Sequence, residues 1–136
     1  MCLYGIYKWV DIIHPINKKV AVDACIAEEV QMLNNRGVRT IGSCCGHGKA
    51  GQIIEYKNGF GSWKTHEHPP HVLIDKESDM LARKLGYSPY PYFYADGTHD
   101  NALMMPLKSG CLTESDCVEW HHLNNIELNT NLGIIN

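Results

Sequence analysis

The fold class this sequence predicts is α/β of the α+β kind: a small mixed or antiparallel sheet packed with two to three helices. Three observations carry it. Short runs rich in β-branched and aromatic residues recur between glycine, proline and asparagine breaks, the pattern of half-buried strands. One stretch, Ala24 to Arg36, has its apolar residues at helical spacing, with a start signal before it and a stop after it. The 136 residues suit one compact domain with its own core, and 44% hydrophobic with 20% charged residues is the balance of an ordinary globule. We expect a single domain over 1–136, with a core over about 20–85 and a helical C-terminal extension over about 111–136.

Taken in order, residues 3–13 (Leu-Tyr-Gly-Ile-Tyr-Lys-Trp-Val-Asp-Ile-Ile) read as an opening strand or two, broken by His14-Pro15-Ile16-Asn17. Lys19-Val20-Ala21-Val22 is a short strand leading into Asp23, a residue suited to capping a helix N-terminus. Ile26, Val30 and Leu33 then fall at i, i+4 and i+7, and Gly37 supplies the stop. Glu28 and Glu29 lie early in that helix, where the macrodipole favours them. Val38 to Ser43 is a strand, followed by a glycine-rich loop. Gln52 to Tyr56 is a strand, Lys57-Asn58-Gly59 a turn, and Phe60 to Pro70 a polar, aromatic, histidine-bearing loop. His71 to Asp75 is a strand, so 53–56 and 72–74 are expected to pair as a long-looped hairpin.

Lys76 to Leu85 reads as a short helix with Met80, Leu81 and Leu85 on its apolar side and Gly86 at its end. Tyr87 to Tyr94 alternates proline with aromatic residues and is expected to be extended; Ala95 to Asp100 is a turn-rich loop. Thr113-Glu114-Ser115-Asp116 opens a last helix running to about Asn124, with a polar-apolar tail from Ile126.

Composition narrows the setting. A formal charge of −3 and a pI near 6.2 do not favour nucleic acid as a partner. The apolar run Met1–Ile13 is interrupted by Lys8 and Asp11 and is too short to span a bilayer, so no membrane association and a cytoplasmic location are expected. In that setting the six cysteines are expected to be reduced thiols, some of them metal-bound, and the eight histidines point the same way.

Chemistry concentrates in Gly42-Ser43-Cys44-Cys45-Gly46-His47-Gly48-Lys49, which gathers two thiols, an imidazole and an ammonium among glycines. Chain reach tells what faces it. A helix over 24–36 is about 18–20 Å long at ~1.5 Å per residue, and a strand from Val38 to Cys44 covers about 20 Å at ~3.3 Å per residue. After a tight turn at Gly37, Cys44 and Cys45 therefore land beside the first turn of the helix, next to Asp23 and Cys25. Two readings follow. In one, Cys25, Cys44, Cys45 and His47 supply ligands for zinc, which thiolate and imidazole suit. Adjacent residues of a strand point to opposite faces, so only one of Cys44 and Cys45 need be a ligand, with His66, His68 or His71 completing the shell. In the other, the amides of Gly46, His47 and Gly48 with Lys49 cradle a phosphate-bearing ligand or nucleotide. Against both stands the plain alternative that buried cysteines act as small hydrophobes and glycines serve only the turn. A Walker loop is excluded by spacing: Gly42 and Gly48 are separated by five residues rather than four, and Ala50 stands at the Ser/Thr place.

The residues Val22-Asp23-x-Cys25-Ile26-Ala27, Leu33-Asn34-x-x-Gly37-Val38-x-Thr40 and Ser43-Cys44-Cys45-Gly46-His47-Gly48-Lys49 resemble a group of small proteins of bacteriophages, prophages and Gram-positive bacteria. The resemblance covers about 20–56, or to 85 with the strand-turn-strand-helix that follows. It implies a phage accessory protein in an infected or prophage-bearing bacterial host and carries no established activity.

Weaker clusters complete the inventory. His66, His68 and His71 form a His-x-His-Pro-Pro-His run, more often a solvated loop than a ligand set. Cys117 and His121 stand at i, i+4 on the last helix, with Cys111 or His122 nearby, as a second metal site or as core. The Tyr87–Tyr94 aromatics suit stacking on a base, or a subunit contact in an oligomer; Lys57 and Lys64 are candidate phosphate partners. The expected function is a zinc-binding accessory protein for a nucleotide or other phosphate-bearing ligand. The alternatives are a zinc hydrolase with Asp23 or Glu67 as base, and a zinc-stabilised module that binds a host protein.

Overall fold

The computed structural model describes residues 6–13, 17–92 and 102–124. Within them the chain is a mixed α+β protein with three sheets of antiparallel strands and three α-helices. The expected helix forms as α1 (Ala24–Asn35), and its periodic residues Ile26, Val30 and Leu33 are its inward face, each at most 1% exposed. Before it stand β1 (Tyr7–Ile12) and β2 (Lys18–Asp23), paired antiparallel with Tyr7 opposite Asp23 and Trp9 opposite Ala21. Gly37, at φ +94°, turns the chain back, and β3 (Thr40–Cys44) returns along the helix.

Two expectations on the middle of the chain are corrected. Phe60 to Pro70 is not a loop throughout: Gly61–His66 is a strand, β5, and it pairs with β4 (Ile53–Asn58). The hairpin is closed by Gly59 and Phe60, with Asn58 Oδ1 accepting the Phe60 N–H at 2.8 Å. The strand β6 (His71–Asp75) therefore does not pair with 53–56. It lies between β3 and β8 (Ala102–Pro106), and β7 (Tyr90–Pro91) adds to the far side of β8. Strand β8 has no counterpart in the sequence reading. Its Ala-Leu-Met-Met run has little β-propensity and is extended because β6 and β7 flank it.

A 3-10 turn at Lys76–Ser78 leads into α2 (Asp79–Lys84). Met80 is 72% exposed rather than inward; Ala82 is fully buried in its place, with Leu81 and Leu85 packed on the core. The last helix, α3 (Glu114–Leu123), opens as expected, with Thr113 Oγ1 accepting the Asp116 N–H at 3.1 Å. Residues 93–101 and the tail from 125 lie outside the described residues, and with them Tyr94, the Ala95–Asp100 loop and Ile126 onward.

The acidic residues of α1 have other work than expected. The first turn of the helix holds none, so Glu28 and Glu29 do not serve its dipole. Glu29 instead binds the segment after β8: its carboxylate accepts the N–H groups of Lys108 and Ser109, the Ser109 hydroxyl at 2.5 Å and the Tyr87 hydroxyl at 2.5 Å.

The strands share one covered face and one open one. Val10, Ile12, Val22, Val72 and Ile74 point to the helices, and Lys8 on that side holds its ammonium 5.8 Å above the Trp120 ring of α3. Tyr7, Trp9 and Ala21 alternate to the opposite face of β1 and β2, as Gly42, Cys44, His71 and Leu73 do on β3 and β6. Strands β2 and β3 run the same way. Asp23 meets Cys45 at one end, and at the other Asn34 Nδ2 donates to Thr40 Oγ1 while lining a cavity with Lys18. They are not strand partners among the described residues, so a gap separates two otherwise continuous sheets.

Candidate metal centre

The return of β3 along α1 brings the two halves of the expected site together. Asp23 stands where the helix starts but makes no capping bond; its Oδ2 accepts the backbone N–H of Cys45 at 3.0 Å. The carboxylate thereby ties the end of β2 to the end of β3, an arrangement the capping expectation missed.

The two adjacent thiols part company. Cys45 is 1% exposed and belongs to the hydrophobic core, as does Cys25 at 5%. Cys44 is half-buried and faces the open side of the sheet. Its sulfur accepts the Gly46 N–H at 3.4 Å. Burial pushes the Cys44 thiol up from its ordinary pKa, the Gly46 N–H opposes this, and the negative charges of Asp23 and Glu67 add to the rise. Without a cation the group stays a neutral thiol at pH 7. A cysteine nucleophile poised as thiolate is not what these surroundings make.

Directly across the strand pair from Cys44 is His71. Partners so placed have Cβ atoms about 4.5–5.5 Å apart on the same face. His71 Nδ1 lies 2.8 Å from the Pro69 carbonyl oxygen, which can only accept, so Nδ1 carries the hydrogen and Nε2 of the neutral ring holds the lone pair. The His68 ring meets that of His71 edge-on at 5.5 Å between centroids. His66 is separated from them, exposed on β5 opposite Ile53. Tyr7, Asp23, Cys44 and His71 thus form a row across four neighbouring strands, β1, β2, β3 and β6, at one end of the sheets, with Asp23 itself buried.

The glycine loop closes as a 3-10 turn over Gly46–Gly48. Gly46 has φ +76°, and a Cβ there would lie 2.6 Å from the His68 carbonyl oxygen. At Gly48, φ +69°, a Cβ would lie 3.0 Å from the backbone of Glu114. The glycines are thus demanded by close packing against the 68–70 segment and the start of α3. Backbone N–H groups here have other partners: Cys45 donates to Asp23, Gly46 to Cys44 and Lys49 to the Gly46 carbonyl. The backbone of the acidic Glu114 also packs against the loop at Gly48. Lys57 and Lys64 are exposed on the β4–β5 hairpin.

The Cys117–His121 pair is wholly inside. Both residues are 0% exposed, His121 Nδ1 donates to the Cys117 carbonyl at 2.7 Å, and the sulfur lies 3.6 Å from the same nitrogen. Cys111, at 2%, joins Cys117 in the core. Among the described residues no three His, Cys, Asp or Glu side chains gather closely enough to hold a metal; the His47 side chain lies outside them.

Fold and site together define a helix-backed open sheet that carries a thiol–imidazole pair on its uncovered face. No known protein family, curated protein or solved structure matches the chain. No helix among the described residues is long and apolar enough to cross a membrane.

Proposed function

We propose that the protein binds a transition-metal ion, zinc by donor type, at Cys44 and His71. The observation that carries this is the cross-strand pairing of the two, each already held as a ligand is held. The imidazole donates its remote N–H to a backbone carbonyl, the usual partner of a metal-bound histidine, and so presents Nε2. The sulfur accepts a backbone N–H, which partly offsets the burial that raises its pKa. Two donors begin a zinc shell; His47, in the adjoining loop of the sequence, is the candidate for a third, with solvent for the rest. The core cysteines Cys25 and Cys45 serve packing on this reading.

Bound there, the ion would cross-link β3 to β6 and act as a Lewis acid toward a ligand on the open face. A hydrolytic use would call on Glu67, half-exposed and near enough to act on the Cys44 thiol, rather than on Asp23, whose carboxylate is buried and committed to Cys45. Elemental analysis of the purified protein tests the reading. About one equivalent of zinc is expected, lost in Cys44→Ser and in His71→Gln and kept in Cys45→Ser. Protein purified without metal that takes up none from a zinc buffer would refute it.

A further inference from the structure

Among the described residues, strands β4 and β5 pair with each other and with no other strand. Two strands by themselves are marginal in water, and each leaves an edge of N–H and C=O groups without ladder partners. The register tells which groups those are on β4. The pairing runs without a shift from Ile53–His66 to Asn58–Gly61, and just before it the Glu67 N–H donates to the Gln52 carbonyl at 2.8 Å. Bonded and non-bonded pairs alternate along an antiparallel ladder, so Ile54, Tyr56 and Asn58 bond across to β5 as Gln52 does. The backbone groups of Ile53, Glu55 and Lys57 therefore turn outward, and all three residues are exposed. The other outer edges differ. On β1, Gln31 fills the edge, its Oε1 accepting the Asp11 N–H at 2.9 Å and its Nε2 donating to the Asp11 carbonyl at 3.1 Å. Strand β7 ends in proline. On β5 the outward residues are Ser62, Lys64 and His66, with no acid among them. The β4 edge alone of these is long, regular and of both charge signs.

We propose that two copies of this chain associate through β4, antiparallel about a two-fold axis at position 56. Backbone geometry and charge together select that register. Outward residues must face outward residues, which leaves only pairings among 53, 55 and 57. Glu55 opposite Glu55, or Lys57 opposite Lys57, sets like charges side by side. Sliding further, with Ile53 against Ile53 or Glu55, shortens the ladder and leaves Lys57 without an opposite charge. Glu55 opposite Lys57 of the second copy joins unlike charges, and the two-fold axis repeats the pair. Lys64 stands opposite Glu55 on β5, so each glutamate lies between two lysine positions. The same register sets Ile53, 64% exposed, opposite Gly59 of the second copy and beside the fully exposed Phe60. Association thus covers apolar surface along with the edge. The product is a four-stranded sheet closed by symmetry, where a β4-on-β5 contact would run on into a fibre. Six residues of edge are a small interface beside the ~800 Å² per partner of stable complexes, so the dimer forms in the micromolar range. The inference does not depend on the metal site.

Sedimentation equilibrium of the full chain over a concentration series tests the proposal. The mass is expected to rise from 15.3 kDa toward twice that value and to stop there. Glu55→Lys and Lys57→Glu each set like charges opposite one another at both pairs, and each should weaken association roughly tenfold or more. Mixing the two variants restores unlike charges at every pair, so a heterodimer of near-parental affinity is expected. That recovery is not open to variants that have merely lost their fold, and both should keep the parent's zinc content. A parent that stays at 15.3 kDa up to millimolar concentration, or polymers that grow past two copies, would overturn the proposal. So would full association in either variant alone, or no gain of mass on mixing the folded variants.

Discussion

A hydroxyl in place of the Cys45 thiol would sit in a core position that is 1% exposed, whereas the same change at Cys44 meets solvent on one side. Cys45→Ser is therefore expected to lower stability by about 1–3 kcal/mol, the usual cost of burying such a group poorly paired. Cys44→Ser should melt close to the parent in metal-free buffer and lose zinc binding. Parallel thermal melts with and without zinc check both. The raised pKa of Cys44 gives a second outcome at this scale: its alkylation by iodoacetamide should be slower at pH 7 than that of an unhindered thiol. The rate should climb only above the usual thiol range, and bound zinc should suppress it, as mass spectrometry of the modified peptide would show. That one of the two thiols faces out was legible from strand alternation. Which one was not, because the answer depends on where α1 and Val72 lie relative to β3. His71 was legible only as one of three possible completers with His66 and His68, because the expected pairing of 53–56 with 72–74 set β6 against the wrong strand.

At the scale of elements, α1 and its return strand were readable because a periodic run, a glycine stop and chain reach all agreed. Strand β5 was not. Gly61–His66 buries little, and its extended shape comes from pairing with β4 alone. Glu29 was misread for a related reason: position in a helix says nothing of a carboxylate's partners across the chain. Burial alone would raise its pKa, but the bonds from Ser109, Tyr87 and Lys108 outweigh burial and hold it below the usual value of 4.5. A carboxylate whose folded pKa is lowered adds stability above its unfolded pKa and loses it as pH falls through the folded value. Glu29→Gln should accordingly lower the melting temperature by about 3–8 °C at pH 7, and the difference should shrink from about pH 5 downward. A difference independent of pH would mean that the charge is not what Ser109 and Tyr87 read. The loop offers a sharper contrast. Gly46→Ala meets the His68 carbonyl at 2.6 Å, whereas Gly51→Ala, also at positive φ (+79°), meets nothing within 4 Å. The second should cost only the left-handed backbone penalty of about 1 kcal/mol, and the first clearly more, in denaturant titrations.

Across the whole molecule, the chain leaves the site at Gly51 and Gln52 and comes back at Glu67. The Gly51 N–H donates to the Glu67 carbonyl at 2.9 Å and the Glu67 N–H to the Gln52 carbonyl at 2.8 Å. Everything between, the β4–β5 hairpin with the fully exposed Phe60 and the exposed Ile53 and Trp63, lies beyond that clasp. Cys44 to Lys49 and Glu67 to His71 are thus joined at the clasp, and the hairpin's length has no bearing on how they meet. The hairpin is a place where chain can be inserted, lengthened or exchanged at little thermodynamic expense, since closing a longer excursion adds only about 0.6 kcal/mol per doubling. Replacing 53–66 by a short glycine-serine turn should leave zinc content unchanged. What such a replacement would remove is an appendage that lineages, or designers, are free to rewrite while the thiol and imidazole stay in register.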